Sequence, residues 1–134
     1  IKTCEKIAHE TGASLSFETD PEKAVVGADV LYTDVWVSMG EDPAVWEKRI
    51  ADLTPYRVTE ALMEKAGDHC RFMHCLPAFH DLLTETGKEI FERFGISCME
   101  VTDEVFESPR SIVFDEAENR LHTIKAVLAM SLAE

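Results

Sequence analysis

Two short stretches hold most of the residues in this sequence that could do chemistry. One is Asp34-Val35-Trp36-Val37-Ser38-Met39-Gly40-Glu41, and the other is His74-Cys75-Leu76-Pro77-Ala78-Phe79-His80-Asp81. A carboxylate such as Asp34 can hold an ammonium group, while small residues such as Ser38 and Gly40 let a ligand carboxylate approach backbone N–H groups closely. Together they suit an amino acid. The same residues also suit plain turn chemistry, with Asp34 capping the next turn and Gly40 supplying a positive φ. Spacing alone leaves both readings open.

Cys75 beside His74 raises two sharper ideas, a thiol nucleophile activated by imidazole and a metal site. Neighbouring residues on an extended segment point to opposite faces, so His74 is poorly placed to deprotonate Cys75. No C-x-x-C pair occurs, and the thiols and imidazoles lack zinc-ligand spacing, so no metal is expected. Cys75 also reads as a small buried residue. Cys4, Cys70 and Cys98 have no partner pattern and read as packing or surface thiols, and Met63 and Met99 as core filler. The acidic cluster Glu100, Asp103, Glu104 and Glu107 lacks the glycine and alternate-position pattern of a calcium loop and reads as a solvated face. Arg120, among Glu116, Glu118 and His122, reads by itself as a surface ion pair at the start of the last helix. The glycine-rich nucleotide motifs and the G-x-S-x-G elbow are absent, and no cofactor is expected.

The elements that must position these residues follow from periodicity and local stop signals. Residues 2–11 have helical spacing ended by Gly12, which can adopt a left-handed C-terminal conformation. Leu15-Ser16-Phe17 is a strand candidate. Thr19-Asp20-Pro21-Glu22 then opens a short helix to Val26, stopped by Gly27. Asp29-Val30-Leu31-Tyr32-Thr33 is an apolar, β-prone run of the kind found in buried parallel strands. Residues 43–53 return to helical spacing, and Thr59 caps a helix ending at Gly67. Arg71-Phe72-Met73-His74 is a further strand, broken by Pro77. Residues 84–94 form an amphipathic helix stopped by Gly95, a short extended piece lies near Ser97 to Val101, and a long final helix is expected from about Arg120 to Leu132.

Strands alternating with helices imply right-handed crossovers and a single α/β domain, a Rossmann-like parallel sheet with helices on both faces. In such sheets ligands bind beyond the carboxyl ends of the strands, which is where both stretches fall. The 134 residues suit one compact domain, and 46% hydrophobic with 29% charged residues suits a globular core. The balance of 13 Lys+Arg against 26 Asp+Glu leaves a net charge of −13, which argues against nucleic acid and against a membrane-surface patch. No apolar run approaches a membrane span, the amino end lacks a signal-peptide pattern, and a cytoplasmic location is expected. Helical spacing is already running at Ile1, where no Met stands, so the chain reads as a piece of something longer.

Four ordered motifs carry a resemblance. Asp34-Val35-Trp36-Val37-Ser38-Met39-Gly40-Glu41, His74-Cys75-Leu76-Pro77, Glu104-Val105-Phe106-Glu107 and Asn119-Arg120-Leu121-His122-Thr123-Ile124-Lys125-Ala126-Val127 resemble the carboxyl-terminal, ornithine-binding domain of the ornithine carbamoyltransferases. The Ser-Met-Gly form points to ornithine, because putrescine and aspartate carbamoyltransferases carry a different sequence there. The resemblance implies that residues 1–134 are the ornithine-binding domain of a two-domain transferase that makes citrulline and phosphate in arginine metabolism. It implies that Asp34 and Ser38 engage the α-amino group of L-ornithine and that the Met39 N–H engages its carboxylate. Cys75 and the Leu76 carbonyl would lie beside the δ-amine and the carbamoyl group, with Cys75 accepting a proton. Arg120 would reach the oxygens of carbamoyl phosphate.

The residue types make sense for that chemistry. A δ-amine titrates at about 10.4 by analogy with lysine, so a site must desolvate it or take its proton before it attacks. A thiol of reference pKa about 8.5 beside a carboxylate serves that end, and an Arg fork suits a leaving phosphate. The family's carbamoyl phosphate domain, with its Ser-Thr-x-Thr-Arg and His-Pro-x-Gln segments, has no counterpart in these residues, nor does its ornithine-holding Asn loop. The chain alone is therefore expected not to catalyse, and the family's homotrimer is implied for the full-length protein. A free-standing amino acid-binding module is the alternative reading.

Overall fold

A computed structural model describes residues 1–38 and 40–133. Helix α1 spans Lys2–Thr11 and ends at Gly12, whose φ of 74° takes the left-handed region that a side chain would strain. Helix α2, Pro21–Ala24, is capped by Asp20, whose side chain accepts from the Glu22 N–H. Strand β1, Val30–Thr33, leads into the first candidate loop. A 3-10 turn at Pro43–Val45 passes into α3, Trp46–Leu53. Helix α4, Glu60–Ala66, begins where the Thr59 hydroxyl accepts from the Leu62 N–H, and strand β2, Arg71–His74, follows. Helix α5, Glu85–Phe94, is capped by Thr84 and closed by left-handed Gly95. A short α6, Asp103–Phe106, precedes α7, Val113–Leu132.

β1 and β2 pair in parallel, with Val30 opposite Arg71 and Thr33 opposite His74. The α/β class and the parallel pairing follow the sequence pattern. Both strands therefore end level, and the two candidate loops leave the sheet side by side. The segment after α6 extends the sheet edge: the Phe72 N–H donates to the Arg110 carbonyl and the Ile112 N–H donates to the Phe72 carbonyl. Val58 and Val101 make a second isolated parallel bridge, the short extended piece expected near residue 101.

The core has two parts. Phe72, Met63, Leu62, Ala66, Val101, Val105, Phe106 and Val113 form one, which packs α4, α6 and the start of α7 against β2. Trp36, Val37, Ile90 and Met99 form the other, bordered by Trp46, Ile50 and Phe94 from α3 and α5. The second cluster matters for function because it contains residues of the loop after β1.

Three expectations are corrected. Leu15-Ser16-Phe17 is not a strand: it pairs with nothing in the sheet and its apolar side chains are exposed, so it gains neither ladder bonds nor burial. The final helix starts at Val113, not near Arg120, because Val113 is buried against the core and Asp115 and Glu116 complement the helix dipole in the first turn. Arg120 consequently sits well inside α7. Glu100 belongs to no solvated face; it is wholly buried.

Candidate functional site

The loop after β1 begins with Asp34. Its Oδ1 accepts the Val35 N–H at 2.7 Å and the Cys75 thiol at 2.8 Å, across 41 residues of sequence. Parallel pairing of β1 with β2 makes this contact, since it carries the residues following Thr33 and His74 to the same sheet edge. The bond from Cys75 holds the Asp34 carboxyl below the usual carboxylate range, helped by the Val35 N–H. Burial, and then the Asp34 carboxylate, push the Cys75 thiol up. At neutral pH the pair is thus a carboxylate and a protonated thiol.

His74 is almost fully buried, and its Nδ1 is hydrogen-bonded to the Cys75 carbonyl rather than to the Cys75 sulfur. The strand alternation anticipated that separation. Ser38 lies exposed near the end of the first loop, its N–H donating to Glu41 Oε2 at 2.6 Å. The other Glu41 oxygen accepts from Arg49, which also donates to the Trp36 carbonyl at 2.8 Å. This chain of bonds ties both ends of the Trp36–Glu41 segment to α3. Met39 lies outside the described residues, and Gly40 has a φ of 89°.

Two cavities meet at the second loop. One, of about 540 Å³, is bounded by Val35, Ser38 and Gly40 on one side and by Cys75, Leu76 and Phe79 on the other. The second, of about 300 Å³, is bounded by His74, Cys75, Leu76, Glu116 and Arg120. Cys75 and Leu76 line both. Asp34 borders neither and reaches the site through the Cys75 thiol. Arg120, exposed on α7, takes part in none of the ion pairs among the described residues, so the ion-pair reading of its acidic surroundings does not hold. His74 Nε2 and Glu116 Oε2 are buried without partners. Buried polar atoms are normally satisfied, so these two mark the smaller cavity as a place for a polar ligand.

His80, Asp103 and Glu107 bring three possible metal-ligand atoms within 4.8 Å of one another. The His80 Nδ1 is hydrogen-bonded to Asp103 at 2.7 Å and the ring stacks on Phe106 at 3.6 Å, contacts that bring His80 and Asp103 together by themselves.

Sequence reasoning missed Glu100. Its Oε1 accepts from the Trp36 N–H and its Oε2 from the Phe79 N–H, both at 3.1 Å. The signal available was its place between Met99 and Val101, two apolar residues of an extended segment, which set it apart from the acids that follow.

A parallel sheet with paired cavities beyond its strand ends defines a small-molecule-binding α/β domain. The family described as aspartate/ornithine carbamoyltransferase, Asp/Orn binding domain, matches residues 1–131, and the chain belongs to that family. Over 135 residues it is 56% identical to ornithine carbamoyltransferase 1, catabolic, of Staphylococcus epidermidis, an alignment covering 100% of this chain and 41% of the relative. Ornithine carbamoyltransferase from Pyrococcus furiosus is similar at a TM-score of 0.71 and 44% identity, over 91% of this chain and 33% of that one. Ornithine transcarbamoylase from Giardia lamblia is similar at a TM-score of 0.74 and 35% identity, over 100% and 36%. The chain thus spans 41% of the length of the curated relative it matches. Among the described residues no helix is long and apolar enough to cross a membrane.

Proposed function

We propose that residues 1–134 are the ornithine-binding domain of an ornithine carbamoyltransferase, a cytoplasmic homotrimer when joined to the carbamoyl phosphate domain. The observation that carries this reading is the wall that Cys75 and Leu76 share between two cavities. A transfer enzyme needs two substrates to meet at one point, and here that point is beside a thiol and a backbone carbonyl.

In this reading L-ornithine occupies the larger cavity. Its α-amino group is held by Ser38 on the cavity wall and by Asp34, reached past the Cys75 side chain that lines the cavity, and its carboxylate by the Met39 N–H, which places the δ-amine at Cys75 and the Leu76 carbonyl. Carbamoyl phosphate lies toward Arg120 in the smaller cavity. The nitrogen lone pair attacks the carbamoyl carbon, a C–N bond forms, and collapse of the tetrahedral intermediate breaks the C–O bond to phosphate. The δ-amine must shed a proton before attack and another afterwards. Cys75 accepts the first proton as the thiolate, having released its own to solvent, and its upward-shifted titration brings it nearer that of the amine, while Asp34 at 2.8 Å orients the sulfur. The departing phosphate is the final base. Fixed donors and the Arg120 guanidinium stabilise the charge that grows on its oxygens.

Isothermal titration with ornithine and glycine tests the binding half of this reading. Ornithine alone gives heat, and Asp34→Ala abolishes it; equal signals for ornithine and glycine overturn the assignment. Citrulline formation by the complete protein, lost in Arg120→Ala, tests the transfer. Binding is expected to be weak for residues 1–134 alone, because polar groups of the ligand lack partners.

A further inference from the structure

Glu100 is an expensive residue for its surroundings. It is fully buried between the two apolar clusters, beside Trp36 and Met99 of one and Val58 and Val101 of the other. A buried carboxylate is tolerated only when hydrogen bonds replace its water, and a methionine or leucine would fill the space without that cost. The two bonds that Glu100 makes go to backbone N–H groups from different loops. Trp36 stands two residues after Asp34, and Phe79 stands four residues after Cys75. A carboxylate is well suited to this task, since its two oxygens face different donors from one rigid plane and neither can act as a donor itself.

The platform beneath the carboxylate is itself fixed. The Glu100 carbonyl accepts the Val58 N–H at 2.9 Å, the Met99 N–H donates to the Phe79 carbonyl at 2.7 Å, and the Met99 carbonyl accepts from Arg57 Nε at 2.7 Å. Phe79 is therefore held at both its N–H and its C=O by consecutive residues. Trp36 is likewise held at both ends, by Glu100 and by Arg49. Nothing else among the described side chains bonds to both loops through their backbones.

We propose that Glu100 is a positioning residue that clamps the loop after β1 to the loop after β2, setting the separation at which Asp34 meets Cys75 and across which ornithine must fit. The proposal rests on the ornithine-binding reading above. Glu100 touches no substrate; it acts through the backbone at Trp36 and Phe79. Rotating or spreading either loop would break the 2.8 Å Cys75–Asp34 contact and alter the larger cavity, while leaving Arg120 on α7 untouched.

The test uses the complete enzyme, residues 1–134 joined to the remainder of its reading frame, with Glu100→Gln. The amide has the shape of the carboxylate but presents one acceptor and one donor, so one of the two N–H groups loses its partner. The expected result is a rise of tenfold or more in KM for ornithine and a drop of about tenfold in kcat, with KM for carbamoyl phosphate within twofold of the unmodified enzyme. Ornithine KM and kcat both within twofold overturn the proposal, as do equal losses for the two substrates in a variant that is fully folded. If the variant does not fold, amide hydrogen exchange on the unmodified protein decides. The Trp36 and Phe79 N–H groups then exchange with matching protection and are slowed together by ornithine; protection differing by tenfold or more overturns the clamp. An unmodified enzyme that makes no citrulline refutes the proposed function instead, and matched exchange of the two amides would still be read independently.

Discussion

Arg110 offers a quantitative check on how β2 is held in place. Its Nη2 donates to the carbonyls of Met63 and Gly67, each at 2.6 Å, and its Nε donates to the Cys70 carbonyl at 3.2 Å. These carbonyls belong to the last turn of α4, the turn after it and the residue preceding β2. The last carbonyls of a helix have no partner within the helix, and a cation there also complements the dipole. Arg110→Met keeps most of the aliphatic stem and removes all three bonds. At about 1 kcal/mol net for each, the loss is about 3 kcal/mol. For a chain of this size, about 4 °C per kcal/mol turns that into a fall of about 12 °C in Tm. Arg110→Lys recovers one bond at most and should lose about 2 kcal/mol, since an ammonium cannot reproduce the fork. Urea titration and a thermal melt of the three proteins measure both figures. Variants that unfold within about 0.5 kcal/mol of the unmodified protein would refute the assignment, because that is the scatter of unremarkable surface substitutions.

Other outcomes follow from the same geometry. Cys75 keeps its proton beyond the pH at which an ordinary thiol ionises, so the stability it contributes is full below about pH 8.5 and is lost as pH rises through its own higher titration. Iodoacetamide labelling of the Cys75 peptide, followed by mass spectrometry, should therefore lag that of exposed Cys4, and Asp34→Asn should shorten the lag; an unchanged lag counts against the Asp34 bond. Gly87→Ala would place a Cβ 2.5 Å from the Asp81 carbonyl oxygen and 3.1 Å from Thr84 Oγ1. The clash outweighs the better helix propensity, for a net loss of about 1–2 kcal/mol, and a denaturation midpoint equal to or above the original would contradict it. On α7, Leu121, Ile124 and Leu128 are exposed, so Ile124→Glu with Leu128→Glu should reduce binding of the dye ANS while leaving the unfolding free energy within about 0.5 kcal/mol. Unfolding of that double variant would show instead that the face is buried in solution.

The legible parts of the fold share one property: the chemistry that sets them lies within a few residues. Gly12 and Gly95 end helices because each takes a left-handed conformation at the required place, and Thr59 and Thr84 start helices through their own hydroxyls. β2 begins and ends where its apolar run does, and β1 begins one residue later than its run, at Val30. The start of α7 was less legible because Val113 joins the helix through burial against distant core residues, which no capping signal announces. Leu15–Phe17 has the pattern of a strand but no strand beside it to pair with.

The candidate site divides in the same way. Residue types at the ends of β1 and β2 pointed to Asp34, Ser38 and Cys75, whereas Leu76 and the ligand role of Arg120 came only through a motif resemblance. The amino-acid sequence by itself determined these groups and the local turns that present them, because hydrogen bonds spanning three or four residues need no partner from elsewhere. Tertiary structure alone decided that Asp34 would bond Cys75, that Cys75 and Leu76 would wall two cavities, and that Glu100 would be buried between two loops. Those contacts join residues 21 to 64 positions apart, and at such separations pairing is set by strand register and packing, which the whole chain determines together.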